Sequence, residues 1–328
     1  MEARFEERPD PPHGKLLSVV TSVADLLAGP SVTAERLTQL LLNEALRCLG
    51  DENDWYMVEA LEQKKLSDDG WRGYPGWVAK DRAAPAEDGP VFDGVLVRGT
   101  LASKPSASAL YLSAGTRLAM TGKHRNGLAG IRLPGDTAAW VPDADIRRAD
   151  TGIGSAATRQ NVIGTAMSFI DATYLWGGRS TPLQSLRRGP AVSGVGGPLP
   201  ATGVDCSGLV NLSYRAAGID VPRDARDQYA AARPLPPDRL RPADLIFLTS
   251  GEGRGIDHVI LYLGGERFIE AIETGRPVEV GTFRTRFGES YEEMVRAGPS
   301  RWSGRIHFAS FLEERDNGKD RPESYDGR

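Results

Sequence analysis

The stretch Gly203-Val204-Asp205-Cys206-Ser207-Gly208-Leu209 places one of the two cysteines of this 328-residue chain at the predicted start of a helix. The residues that follow alternate apolar and polar at helical spacing up to Gly218, a typical C-terminal stop. Backbone N–H groups and the helix dipole favour a thiolate at such a position. We therefore predict that Cys206 is a nucleophile rather than a small core residue. The other cysteine, Cys48, lies in a strand-like segment, and we predict that it is a structural residue without a catalytic role.

A histidine follows at the head of an apolar, strand-like run, Ile256-Asp257-His258-Val259-Ile260-Leu261-Tyr262-Leu263. The helix dipole contributes about 1 kcal/mol, less than one pKa unit, so a nearby base must complete the activation of the thiol. Of the four histidines, His258 alone has a strand context, since His13, His124 and His307 lie in the N-terminal tail, a polar turn and the domain end. We predict that Cys206 and His258 form a nucleophile–base pair.

Five short motifs occur in a fixed order around this pair. They are Tyr174-Leu175-Trp176-Gly177-Gly178, Asp205-Cys206-Ser207-Gly208-Leu209, Pro222-Arg223-Asp224-Ala225 with Gln228, Pro242-Ala243-Asp244-Leu245-Ile246-Phe247 and His258-Val259-Ile260-Leu261-Tyr262-Leu263-Gly264. This series resembles the catalytic domain of the NlpC/P60 family of cysteine peptidases, which cut peptidoglycan peptides. The resemblance covers roughly residues 155–310 and implies an α+β, papain-like fold.

The resemblance also implies roles for single residues. Cys206 and His258 match the family's nucleophile and base, and Tyr174 matches a tyrosine whose hydroxyl faces the developing oxyanion. The family's third triad member is most often His, sometimes Asn or Gln, and this position falls on Glu270. A carboxylate can accept the ring N–H and favours the imidazolium. An exposed strand glutamate without a catalytic role is the alternative.

The residues before this domain predict two small all-β units. Short strand-like runs broken by Gly, Pro and Asp fill residues 15–150, and the pairs Trp77-Val78 and Trp140-Val141 end two similar segments. These segments resemble a tandem of bacterial SH3-like barrels. We therefore predict SH3-like domains over residues 1–85 and 86–152, the NlpC/P60 domain over 153–312 and a polar tail over 313–328.

Connections and elements are predicted more coarsely. Ala83 to Pro90 indicates a linker between the two barrels. In the catalytic domain we expect a helix near 157–170, the Cys206 helix, and an antiparallel sheet from Leu245 to about Phe308. Ser180 to Gly203 is a Gly-, Pro- and Ser-rich insertion into the family pattern, so we expect a loop beside the cleft there.

Composition excludes several classes of function. The chain is 40% hydrophobic and 26% charged, which is typical of soluble globular proteins, and its length suits two or three domains. A net charge of −4 gives no electrostatic reason for binding nucleic acid or a membrane surface. No HxxH, CxxC or carboxylate cluster is present, so we expect neither metal nor other cofactor. The charged start, Met1 to Asp10, lacks the apolar core of a signal peptide and predicts a cytoplasmic protein.

The SH3-like tandem bears on the substrate. In a cytoplasmic subgroup of γ-D-glutamyl-L-diamino acid endopeptidases, the first barrel closes one end of the cleft and restricts substrates to short peptides with a free amino terminus. The segment Gly73 to Trp77 resembles that subgroup's contact loop. The resemblance implies a set of substrate contacts: Tyr74, Asp205 and Glu44 for the ammonium of L-Ala, Ser207, Arg223 and Asp224 for the γ-D-Glu residue, and Trp176 as a cleft wall.

We therefore expect a hydrolase that cuts L-Ala-γ-D-Glu from meso-diaminopimelate or L-Lys in murein tri- and tetrapeptides. A hydrolase of polymeric peptidoglycan, anchored by the SH3-like domains, is one alternative. A catalytically inactive module that binds wall peptides is another, motivated by the unusual Glu270. The sequence leaves the oligomeric state and the preferred diamino acid open.

Overall fold

The computed structural model describes residues 14–86, 91–104, 109–148, 156–182, 201–249, 255–298 and 305–312. Its first sheet consists of β1 (Leu16–Val19), β2 (Val23–Leu27), β3 (Arg36–Leu41), β4 (Ala45–Glu52), β5 (Trp55–Ser67), β6 (Gly70–Ala79) and β7 (Ala83–Pro85). The strand order is β3-β2-β6-β5-β4-β1-β7 with antiparallel pairing. Leu17, Leu26, Leu40, Val58 and Val78 form its buried core.

The second sheet repeats this arrangement. It consists of β8 (Gly94–Leu96), β9 (Thr100–Ser103), β10 (Ala109–Leu112), β11 (Arg117–Arg125), β12 (Leu128–Leu133), β13 (Thr137–Pro142) and β14 (Ile146–Arg148), in the order β10-β9-β13-β12-β11-β8-β14. In both sheets the valine of the Trp-Val pair is buried and the tryptophan is half-buried, as the alternation of side chains along a strand requires. The two N-terminal units are therefore all-β; their SH3-like character stays a prediction.

The third region is α+β, as expected. Its helices are α1 (Ala156–Met167), α2 (Cys206–Ala216), α3 (Ala225–Ala231), α4 (Phe283–Phe287) and α5 (Tyr291–Ala297). Its strands are β15 (Arg233–Leu235), β16 (Leu245–Thr249), β17 (Ile256–Gly264), β18 (Arg267–Glu270), β19 (Glu279–Thr282) and β20 (Ile306–Ser310), in the antiparallel order β15-β20-β16-β17-β18-β19. Every residue of α2 is buried, so the helix that begins at Cys206 is held rigidly in the core.

Two predicted connections are strands instead. Gly73 to Trp77 lies inside β6 and pairs with β5, because its glycines serve close packing rather than a turn: a Cβ on Gly76 would lie 2.7 Å from Leu26. Ala83 to Pro85 of the predicted linker pairs with β1 as strand β7. Most of the predicted insertion (183–200) and the polar tail (313–328) lie outside the described residues.

A buried charge network joins the three regions. Glu44 of the first unit lies 2.6 Å from Arg179 and 3.6 Å from Arg215 of the catalytic region, measured between Oε1 and the nearest Nη atom. Arg215 also lies 2.6 Å from Glu62, which binds Arg117 of the second unit at 2.9 Å. Burial opposes the ionisation of Glu62, but Arg215 and Arg117 lower its pKa below the usual value. The charges therefore hold the first unit against the catalytic region.

Replacing Glu44 by Gln is expected to lower the free energy of unfolding by about 3–5 kcal/mol, because it leaves the fully buried guanidinium of Arg179 without its counter-charge. Urea unfolding, followed by far-UV circular dichroism, measures the change. Asp51→Asn is the control, since the Asp51–Lys80 pair lies on the surface of the same unit. Equal unfolding midpoints for Glu44→Gln and Asp51→Asn would contradict the role of the network.

Candidate active site

Cys206 is the first residue of α2 and lines a cavity of about 1030 Å³. Asp205 caps the helix: its backbone is extended, and its Oδ1 accepts a hydrogen bond of 2.7 Å from the Gly208 N–H. The thiol is 9% exposed, so it is accessible to a substrate only through the cavity. The thiol of Cys206 therefore lies at the start of a helix, as predicted, and borders the cavity.

His258 lies on β17 beside this thiol. Its Nε2 is 2.7 Å from Oε2 of Glu270 on the neighbouring strand β18, which leaves Nδ1 to face Cys206. Burial by itself would lower the pKa of His258, but hydrogen bonds to Cys206 and Glu270, and the negative charges of both, raise it to about 9. The structure therefore brings the three residues predicted for the triad into one chain of contacts.

Glu270 is the last residue of β18 and is 2% exposed, so it is not the exposed strand glutamate considered as an alternative. Its second oxygen, Oε1, lies 3.3 Å from Nε of Arg286 on α4. A buried carboxylate requires such a positive neighbour to offset its desolvation. Sequence reasoning missed Arg286. The pair Thr282 and Thr285 forms a capping box that starts α4, but nothing in the sequence indicates where the helix points.

The raised pKa of His258 predicts a pH profile for this site. Below about pH 9 the imidazole keeps the proton that a leaving amine must receive, and above it that proton is lost. We expect kcat/KM to decrease above about pH 9, which gives the pH profile a high-pH limb. Steady-state rates over pH 5–11 measure this limb. A limb near 6.5, the ordinary value for histidine, would show that Cys206 and Glu270 do not stabilise the imidazolium.

Tyr174 lines the same cavity, is 8% exposed and bridges to Val204 just before the nucleophile. Burial, and then the negative charges of Cys206 and Asp205, raise the pKa of Tyr174 above its usual value. Its hydroxyl therefore keeps its proton at neutral pH and can donate to an oxygen that becomes negative beside the thiol.

Three of the predicted substrate contacts form one cluster in the cavity. Arg223 donates to both oxygens of Asp205, at 3.1 and 2.6 Å, and to Oγ of Ser207 at 2.8 Å. The guanidinium is 1% exposed yet borders the cavity. Because Asp205 already engages Arg223 in a bidentate pair, a substrate carboxylate would have to share this guanidinium.

The first β unit forms one wall of the cavity. Tyr74 of β6 donates to Oδ2 of Asp224 at 3.0 Å, and Lys65 of β5 lies 2.6 Å from the same oxygen. Burial, and then the charge of Asp224, raise the pKa of Tyr74 to about 12. Across the opening, exposed Trp176 donates from Nε1 to Glu35 at 2.8 Å. Lys65 and Glu35 carried no motif and were missed.

The structure does not bring Glu44 to the cavity, which corrects its predicted role at the substrate ammonium. Its carboxylate is 1% exposed, does not border the cavity and binds Arg179 and Arg215 instead. The chain turns at Asn43, whose backbone is left-handed (φ 72°), and the physical reason is the buried guanidinium of Arg179, which holds the Glu44 carboxylate at 2.6 Å. Two carboxylates line the cavity near the first unit: Glu35, which accepts a hydrogen bond from Trp176, and Asp224, which already binds Lys65.

No group of three or more His, Cys, Asp or Glu side chains in the part of the chain that the structure describes could hold a metal ion. No helix within the described ranges is long and apolar enough to cross a membrane.

Comparison with known proteins agrees with this geometry. Residues 171–296 match the NlpC/P60 family. A γ-D-glutamyl-L-lysine dipeptidyl-peptidase of Bacillus subtilis is 29% identical over 255 residues, 75% of each chain. The peptidoglycan endopeptidase RipB of Mycobacterium tuberculosis is 37% identical over 50% of this chain and 64% of its own length. A crystal structure of an NlpC/P60 family protein from Bacillus cereus covers 91% of this chain and 100% of its own, with a TM-score of 0.72 and 20% identity, which shows a shared fold.

Proposed function

Because residues 171–296 belong to the NlpC/P60 family, whose cysteine peptidases act on peptidoglycan peptides, we propose that this protein hydrolyses the bond between γ-D-Glu and the diamino acid of free murein peptides. The observation that carries this proposal is the wall that the first β unit builds beside Cys206, through Tyr74 and Glu35. A wall on the side of the cavity that takes the acyl part of the substrate admits the end of a short peptide. It excludes a peptide chain that continues beyond that point. The name of the Bacillus subtilis relative supports the same bond.

The geometry supports a two-step mechanism. Sγ of Cys206 attacks the γ-carbonyl carbon of D-Glu, and a C–S bond forms as the carbonyl oxygen becomes negative beside Tyr174. The C–N bond then breaks, and the imidazolium of His258 gives its proton to the leaving amine. His258 next takes a proton from water, whose oxygen attacks the thioester carbon. The C–S bond breaks, the thiolate of Cys206 leaves, and L-Ala-D-Glu is released with a free γ-carboxylate. Glu270 orients the imidazole in both steps.

The experiment compares L-Ala-γ-D-Glu-diamino acid with its N-acetylated form and with intact peptidoglycan. The proposal predicts efficient cleavage of the free-amine peptide alone, because acetylation removes the positive charge that the carboxylates of Glu35 and Asp224 would stabilise and adds bulk at the wall. Cys206→Ala serves as the blank for contaminating hydrolases. Equal cleavage of the acetylated peptide would overturn the proposed restriction. Preference for intact peptidoglycan would favour a wall hydrolase, and no cleavage together with an unreactive Cys206 would favour a binding module.

A further inference from the structure

We infer that Arg286 forms a carboxylate subsite for the leaving residue, and that the enzyme prefers a diamino acid with a second carboxylate, meso-diaminopimelate, over lysine. This inference rests on the proposed function and names the substrate that the same site takes. It concerns the part of the cavity that Arg286, Leu248 and Thr249 line.

The position of His258 determines which end of the cavity takes the diamino acid. The imidazolium must face the leaving amine, so the diamino acid lies on the His258 side of Sγ. Arg286 borders the cavity on that side, because it contacts Glu270, which in turn contacts His258. Leu248, Thr249 and Arg286 border both this cavity and a second one of about 350 Å³. The leaving side therefore has room for a long side chain that passes the guanidinium.

The guanidinium of Arg286 has N–H donors beyond the one that contacts Glu270. That contact uses Nε, whereas the side chain is 37% exposed and a guanidinium carries five N–H donors in a flat fork. Three other arginines line the described cavity. Arg36 binds Asp25 through Nε and Nη2, and Arg223 binds Asp205 through both Nη atoms. Arg226 lies on α3, away from Glu270, with its Nε 3.7 Å from Oδ1 of Asp227. Arg286 is therefore suited to bind a carboxylate brought by the substrate.

The two possible substrates differ in the group that meets this cation. A lysine side chain ends in an ammonium, whereas meso-diaminopimelate ends in a carbon that carries an ammonium and a carboxylate. Glu273, which is exposed and lines the cavity three residues after Glu270, can accept the ammonium of either one. Only the extra carboxylate distinguishes them, and Arg286 attracts that carboxylate while it repels a lone ammonium.

The test measures kcat/KM of the full chain on three tripeptides of the form L-Ala-γ-D-Glu-X. X is meso-diaminopimelate, the same residue amidated at its distal carboxylate, or L-lysine. The α-carboxylate and the distal ammonium are common to all three, so the ratios report the distal carboxylate alone. We expect about a tenfold preference for the unmodified diaminopimelate, the effect of one charged hydrogen-bonding contact.

Arg286→Met is expected to reduce that preference to about one, and Arg286→Lys to retain part of it. Both variants lower all three rates through Glu270, so the ratio separates substrate binding from positioning of the triad. Arg284→Met is the matched control, because Arg284 lies on the same helix but binds Glu293 and does not border the cavity. It should leave the rates and the ratios unchanged.

Each other outcome is decisive. Equal cleavage of the diaminopimelate and lysine peptides by the unmodified protein overturns the inference, whether or not any variant folds. An unchanged ratio in Arg286→Met also overturns it and leaves Arg286 as a positioning residue for Glu270 only. If the unmodified protein cleaves none of the three, the proposed function itself fails and the subsite with it.

Discussion

Replacing Cys206 by Ala is expected to lower kcat for peptide hydrolysis by at least about 10⁴-fold, because no other described nucleophile lies beside His258 at the start of α2. The change removes a single buried atom, so the fold and the cavity should persist. Rates on L-Ala-γ-D-Glu-diamino acid measure the loss. Mass spectrometry of a rapidly quenched reaction should detect a dipeptidyl thioester in the unmodified protein and none in the variant.

The second cysteine provides the control for this result. Cys48 lies half-buried on β4 in the first unit and donates a weak hydrogen bond to the Gly50 carbonyl at 3.4 Å. Cys48→Ser should retain full activity, and iodoacetamide should inactivate it as it inactivates the unmodified protein. Residual activity of Cys206→Ala above one hundredth, or a comparable loss in Cys48→Ser, would exclude Cys206 as the nucleophile.

Replacing Glu270 by Gln is expected to lower kcat by about 10²–10⁴-fold. The neutral amide cannot balance the imidazolium of His258, and it can donate to Nε2 and so stabilise the wrong tautomer. The pKa of His258 should fall as well, which moves the high-pH limb of kcat/KM below 9. Steady-state rates across pH measure both effects in one series.

Glu279→Gln is a matched control, since Glu279 pairs with Glu270 in the β18–β19 register but is partly exposed and binds Arg276. It should leave kcat and the pH profile unchanged. A Glu270→Gln variant with normal kcat and an unshifted limb would remove Glu270 from the triad. Thermal unfolding of both variants separates a catalytic loss from a structural one.

The core of this site could be predicted because its signals are local. A polar cap, Asp205, followed by helical spacing is sufficient to begin α2 at Cys206, and an apolar run of strand length is sufficient to place His258 on β17. The match of Glu270 to the third position needed only the strand after His258. Each inference spans a short segment whose neighbours along the chain determine its conformation.

The rest depends on contacts distant in sequence. Asn43-Glu44 has the composition of an exposed turn, and its burial comes from Arg179 and Arg215, more than 130 residues away. Gly73 to Trp77 has the composition of a loop, yet Gly76 provides the space that Leu26 of β2 requires. Arg286 is found only when α4 is placed against β18. The predicted domain boundaries and the SH3-like assignment stay predictions.

The ion pairs of Glu44 and Glu62 limit how this peptidase region could be recombined during evolution. Arg179 belongs to it, but its acidic partner Glu44 belongs to the first β unit. Arg215 binds Glu62 of that unit and also Asp220 of its own region. A gene fusion that kept residues 156–312 and discarded what precedes them would leave Arg179 without its anion and Arg215 with Asp220 alone. Transfer of the catalytic region to another protein by domain shuffling is therefore disfavoured unless Arg179 is replaced at the same time.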